Sequence, residues 1–170
     1  MTKLLDAALE YAQQGMSVIP LVPKDKKPLI YSWKEFQSKH MGIGDMKGHW
    51  KDSPESNIGI VTGAISGITV IDIDGQEGLD SLKDAGIHLP NTHIVKTPKG
   101  WHFYYKYNNL FKTGAGFLKN VDVRNDAGYV VAPPSLVTNK NYEVLETNVD
   151  INNQIKQLMD EEGYPIPDGP

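Results

Sequence analysis

Apolar positions with helical spacing open the chain: Leu4, Leu5, Ala8, Leu9, Tyr11 and Ala12 make one stripe over residues 3 to 14, stopped by Gly15. Met16 to Val22 then reads as a buried strand. Pro20 inside it points to an edge or a strand end, since proline gives up a ladder hydrogen bond. Pro23 to Pro28 is a basic loop, and short helices are expected over 32 to 40 and 45 to 52, with Trp33, Phe36 and Trp50 as core anchors. Asn57 to Val61 is a short apolar strand, and the turn Thr62 to Gly67 leads into the strand Ile68 to Asp74. A helix follows over roughly 76 to 85, ending at Gly86. Thr92 to Thr97 and Trp101 to Tyr107 are rich in β-branched and aromatic residues, and Pro98-Lys99-Gly100 between them predicts a hairpin. Lys112 to Gly116 reads as a loop. Val121 to Val123 and Gly128 to Ala132 are strands around the polar turn Arg124 to Ala127. A last strand is expected over Asn141 to Leu145 and a helix near 150 to 160, before a tail, Gly163 to Pro170, of linker composition.

This order of elements specifies a mixed fold, α/β or α+β, with central strands close in sequence and joined by hairpins. No Gly-rich loop joins a strand to a helix, which disfavours a doubly wound nucleotide fold. The predicted organisation is one domain over 1–148. A C-terminal helix and linker over 149–170 would lead toward a further or partner domain.

The strand at 68 to 74 changes the picture, because its apolar run ends in Asp72 and Asp74. Side chains at i and i+2 of a strand leave the same face, so the two carboxylates point together. Paired carboxylates repel and raise each other's pKa unless a divalent cation lies between them, and oxygen-only ligands favour Mg²⁺ or Mn²⁺. The alternative is a strand running into an Asp74-Gly75 turn, where Asp is common for local reasons.

Composition narrows the chemistry further. The 170 residues, 39% hydrophobic, suffice for one domain with a proper core. Cysteine is absent, which removes disulfides, thiolate nucleophiles and thiolate zinc sites. No apolar run approaches the length of a membrane span, no signal-peptide pattern opens the chain, and cytoplasm is the default location. The five His residues lack metal-helix spacing. With a formal net charge of -4, attraction to nucleic acid would have to come from a local positive field or from bound cations.

Three short elements repeat one design, an apolar strand that delivers polar groups at its end: Asp72-Ile73-Asp74, Thr97-Pro98-Lys99-Gly100-Trp101-His102, and Val121-Asp122-Val123-Arg124. Together they resemble the three motifs of the archaeo-eukaryotic primase superfamily, in the bifunctional primase–polymerase branch carried by phages and plasmids. That branch shows an acid-x-acid strand, a Ser/Thr-Pro-containing turn ending in His, and a third acid on a later strand. Asn57 to Gly63, Gly128 to Ser135, and Gly15 to Pro20 followed by Lys27-Pro28 and Trp33 also resemble the family. The likeness runs in order over roughly residues 4 to 145.

The resemblance implies an α+β fold, with a mixed or antiparallel sheet in an RRM-like catalytic module and a smaller N-terminal αβ part. It implies a DNA primase/polymerase from a mobile element's replication protein, which joins (deoxy)nucleoside triphosphates on a single-stranded DNA template and primer. Mg²⁺ or Mn²⁺ would be held by Asp72, Asp74 and Asp122 in a two-metal site of the kind that clamps attacking and leaving oxygens at phosphorus. His102 would contact the nucleotide's phosphates, and Arg124 suits a bidentate grip on them. Thr97 could donate its hydroxyl to the same phosphates, and Lys99 and Lys27 are candidates for phosphate or template backbone.

Plainer readings stand beside these. His102 could be a structural hydrogen-bonder, Asp122 and Arg124 a local ion pair, and Lys24, Lys26 and Lys27 a solvated loop. Trp101, Phe103, Tyr104 and Tyr105 read chiefly as packing residues. In function, the rivals are a non-catalytic nucleic-acid-binding module and a metal-dependent phosphodiesterase or nuclease. Some relatives insert a zinc-binding stem between the motifs, which a chain without Cys cannot build in that form. Many continue into a helical domain needed for primer initiation and then a helicase, so this domain is expected to extend primers yet to need such a partner to start them.

Overall fold

A computed structural model describes residues 3–145 and 150–157. Helix α1 (Lys3–Gln13) buries Leu5 and Ala8, and Gly15, at a φ of 91°, turns the chain into β1 (Ser17–Leu21). The helix expected over 32 to 40 is a four-residue 3-10 turn, Lys34–Gln37. Both the amide and the hydroxyl of Ser38 turn back to the Glu35 carbonyl, which closes the turn early, and Phe36 plugs it into the core. Helix α2 (Ile43–Asp52) follows, anchored by Trp50, whose ring N–H donates to the Ser56 carbonyl at 2.9 Å.

Then come β2 (Asn57–Val61), β3 (Ile68–Asp74), α3 (Gly75–Asp84), β4 (His93–Lys96), β5 (Gly100–Lys106), β6 (Gly114–Leu118), β7 (Val121–Arg124) and β8 (Tyr129–Ala132). Short strands β9 (Leu136–Val137), β10 (Lys140–Asn141) and β11 (Glu143–Val144) and the one-turn helix α4 (Ile151–Gln154) complete the described chain. The loop expected at 112 to 116 is thus partly an edge strand. Its glycines carry no side-chain pattern, and the open edge of β7 supplies its pairing, with an irregular register. The helix expected over 150 to 160 is shorter. After α4 the chain extends, and Lys156 pairs with Tyr105 in a parallel bridge. Its part beyond 157, the boundary at 148/149 and the tail lie outside the described residues.

The fold is α+β, built on antiparallel sheets. A six-stranded sheet runs β11-β4-β5-β3-β7-β6, and a three-stranded sheet runs β1-β2-β8. Within the larger one, the order β4-β5-β3-β7 with α3 linking β3 to β4 is that of an RRM-like split unit. Among the described residues α3 is the helix on the outer face of this unit, and the chain between β5 and β7 makes β6 where a second helix would stand. In the smaller sheet β1 is an edge, which accommodates Pro20. Its other edge, β8, is contributed from far downstream. β7 and β8, though separated by one short turn, therefore belong to different sheets.

Alternation along β3 sorts the core in two. Ile71 and Ile73 face α3, in a cluster with Leu82, Tyr105, Val121 and Val123. Ile68 and Val70 point the other way, into a larger cluster with both sheets, α1 and α2. Among the described residues no helix is long and apolar enough to cross a membrane.

Candidate active site

Asp72 continues the inward face of Ile68 and Val70, but at the place where the two sheets part. Register then decides its neighbours: Asp72 pairs with His102 on β5 and with Asp122 on β7. Directly opposed residues on one face sit about 4.5–5.5 Å apart at Cβ. Three polar side chains from three distant stretches thus form one row across β5-β3-β7, and Arg124, opposite Val70, lies one step along the same face.

The row opens into a cleft of about 300 Å³ between the sheets. Asp72, His102, Arg124 and the buried Tyr142 line it together with Tyr129 to Val131 of β8, and Lys26 and Trp33 complete the lining. His102 Nε2 stands 3.5 Å from Asp72 Oδ1, and Arg124 approaches Asp122 at 3.7 Å. Asp122 also accepts the Gly116 amide at 3.0 Å. His102 Nδ1 is buried and, among the described residues, has no hydrogen-bond partner, so the Nε2 edge is the one that serves the cleft. The Trp33 ring meets Tyr129 edge-on at 5.1 Å, and the Tyr129 hydroxyl donates to the Lys26 carbonyl at 2.8 Å, fixing that lysine's backbone at the rim.

The electrostatics separate the two acids of β3. Burial pushes the Asp72 carboxyl up, but the hydrogen bond and charge of His102, with Arg124 and Lys26, outweigh it and hold the pKa below its ordinary value. Asp74 is raised, by burial first and then by the charges of Asp72 and Asp122, against the smaller pull of Lys99 and Lys26. Tyr142 is pushed up to about 12 by burial and then by the charges of Asp72 and Asp74.

The cleft gathers Asp72, His102 and Arg124, with Asp122 beside them in the row. It does not gather the rest of the expected set. Asp74 is exposed at the end of β3, opposite Gly100. Thr97 is buried and its hydroxyl oxygen accepts the Gly100 amide at 3.0 Å, closing the hairpin turn in which Lys99 sits. Lys27 is exposed, and its neighbour Lys26 is the lysine that lines the cleft. Lys26, Trp33, Tyr129 and Tyr142 escape a sequence reading of the site. Lys26 differs from Lys24 and Lys27 by no local pattern, and an aromatic strand residue looks the same whether it faces a core or a cleft.

Asn125 fixes the junction behind the site. Wholly buried, it accepts the Thr69 hydroxyl at 2.9 Å and donates to the carbonyls of Asn108 and Phe111 at 2.8 and 2.9 Å. Its amide meets the Thr113 hydroxyl, and its carbonyl accepts that of Thr62. The network ties β7, just after Arg124, to β3 and to the turn that sends the chain across to β8.

Oxygen donors at Asp72, Asp74 and Asp122 fit a hard divalent cation in type, and Asp72 and Asp122 both act on the charge of Asp74. Among the described residues no group of three or more His, Asp or Glu closes into a cage that could hold an ion by itself. Mg²⁺ typically takes one or two carboxylates and completes its shell with water and substrate phosphate, which is the kind of site this row offers.

No curated protein matches the chain. Residues 8–161 match the family described as bifunctional DNA primase/polymerase, N-terminal, and the row, the cleft and the split antiparallel sheet all lie within that span, so the chain belongs to this primase/polymerase family.

Proposed function

We propose that the domain is a template-directed nucleotidyltransferase that adds (deoxy)nucleotides to a primer on single-stranded DNA, within a mobile element's replication protein. One observation carries this: Asp72, His102 and Arg124 from three strands line a single cleft with Lys26, Trp33, Tyr129 and Tyr142, and Asp122 stands beside them in the same row. An incoming triphosphate brings concentrated negative charge. Arg124 and Lys26 bind it, and the Nε2 edge of His102 orients it toward the row. Asp72 and Asp122 would hold Mg²⁺ or Mn²⁺, with Asp74 next along β3. That ion, when bound, neutralises phosphate charge and favours the ionised 3′-hydroxyl. Trp33 and Tyr129 bound the volume left for sugar and base. Thr97 serves the site through its turn, and Lys99 and Lys27 lie outside the cleft, near the strand path. Primer initiation is assigned to a helical accessory domain and helicase.

The test is extension of a labelled primer–template with Mn²⁺ and then Mg²⁺ by the wild type, Asp72→Ala and Asp122→Ala. The expected result is metal-dependent elongation that either substitution lowers by about 10²-fold or more. Full elongation by both variants overturns the assignment. Metal-dependent shortening of the primer would replace it with a nuclease.

A further inference from the structure

Among the described residues the side-chain hydroxyls that line the cleft are those of Thr113, Tyr129 and Tyr142. The first two are engaged by the protein itself. Thr113 donates to the Asp126 carbonyl at 2.7 Å and accepts the Asn125 amide at 2.6 Å, and Tyr129 donates to the Lys26 carbonyl at 2.8 Å. Tyr142 differs. It is only 4% exposed, yet among the described residues its hydroxyl has no hydrogen-bond partner. A buried phenol normally finds one, because an unmade hydrogen bond away from water is unfavourable.

The position of Tyr142 is fixed by its surroundings. Its amide donates to the Ser135 carbonyl at 2.9 Å, and the next residue, Glu143, pairs with Lys96 on β4. The Tyr142 ring meets that of His102 with 6.0 Å between centroids. Strand order puts Tyr142 at the β11 end of the row, beyond His102, and Arg124 at the β7 end, with Asp72 between them. The charges of Asp72 and Asp74 both bear on the phenol.

A phenol is protonated at neutral pH and has one hydrogen to donate. Its acceptor must lie near two carboxylates. A phosphate oxygen is drawn to Arg124 at the other end of the row and repelled at this one. A neutral hydroxyl suits the place, since it accepts from the phenol and can donate to a carboxylate. A nucleotide whose phosphates lie at Arg124 carries such a group on its sugar. We propose that the Tyr142 hydroxyl donates to the 3′-hydroxyl of the incoming nucleotide, so that Tyr142 reads the presence of this group. This rests on the nucleotidyltransferase reading above and adds to it which end of the cleft takes the sugar.

The experiment is isothermal titration calorimetry of the whole chain with the Mg²⁺ complexes of dATP and of its 2′,3′-dideoxy analogue, for wild type and Tyr142→Phe. The wild type should bind dATP about fivefold more tightly than the analogue, within the range of one hydrogen bond. Tyr142→Phe keeps the ring beside His102 and removes only the hydroxyl. It should bind dATP about fivefold more weakly than wild type and the analogue within about twofold, so that discrimination between the two is lost. Retained binding of the analogue shows at the same time that the variant's cleft is intact. Equal losses for both nucleotides, or no loss for dATP, overturn the contact. Primer extension run in parallel separates the two claims. If the wild type extends while Tyr142→Phe discriminates as it does, the sugar contact falls and the polymerase stands. If the expected pattern is found in a domain that never extends, the polymerase falls and the contact stands. A wild type that binds neither nucleotide overturns both.

Discussion

Replacing Asn125 with alanine tests whether a buried amide holds the two sheets in the arrangement that makes the cleft. The side chain is wholly buried and makes three hydrogen bonds of 2.8 to 2.9 Å, to Thr69, Asn108 and Phe111. Each is worth about 1 kcal/mol net, and the carbonyls of Asn108 and Phe111 left without a donor add to that, while the Thr69 hydroxyl keeps the Asn108 amide. The sum is about 3–5 kcal/mol, at the severe end for one substitution and a large share of the roughly 5–15 kcal/mol that holds a domain folded. Urea unfolding is the assay. The midpoint should fall by about 1.5–2 M with the slope unchanged, and thermal melting by about 10 °C. Asn125→Asp separates hydrogen bonding from lost volume. It keeps the shape and the acceptor for Thr69 but sets a carboxylate against two carbonyls, so it should be at least as damaging as alanine. A loss below about 1 kcal/mol in both variants would refute the reasoning, since the junction would then not depend on these bonds.

The two aspartates of β3 should respond to pH with opposite signs. Asp72 is held below its ordinary pKa, so it adds stability that is present above the ordinary carboxylate range and is lost as pH falls through the folded value. Asp74 is raised, so its ionisation withholds stability once pH climbs through the raised value. At pH 7 Asp72→Asn should melt below wild type and Asp74→Asn about 1–2 °C above it, both differences shrinking toward pH 3. The same sign for both variants would contradict the assigned environments. Gly100→Ala should cost about 1–3 kcal/mol or more, because a Cβ there would run into the Ile73 carbonyl oxygen and lie 2.8 Å from the Gly75 nitrogen, both backbone atoms. A melting curve that overlays the wild type would show that β3 and β5 are not so close beside Asp74.

Much of the fold was legible because its signals are local. The stripe from Leu4 to Ala12, the breaks at Gly15 and Gly86, and the alternation through Ile68 to Asp74 each follow from the period of one element. The 3-10 turn at 34–37 was not legible as such, since Ser38 closes it through contacts weaker than any periodic pattern. Nor was β6, whose Gly114 and Gly116 pair because β7 offers an edge and not because their own side chains favour a strand. The site divides in the same way. Asp72, Asp122, His102 and Arg124 could be named from strand ends, yet Lys26 and Tyr142 could not be told from their neighbours.

By itself the sequence determined which strand-borne polar residues are candidates for chemistry, and the face of its own strand on which each stands, because the two-residue repeat of a strand is written in consecutive letters. It determined that no thiolate can serve as nucleophile or metal ligand, since no cysteine exists. Tertiary structure alone decided that Asp72 pairs with both His102 and Asp122, that β8 crosses to the other sheet to wall the cleft, and that Lys26 lines the cleft while Lys27 does not. The reason is physical: register between strands far apart in the chain is set by packing both faces of β3 at once, and no local stretch of sequence holds that information.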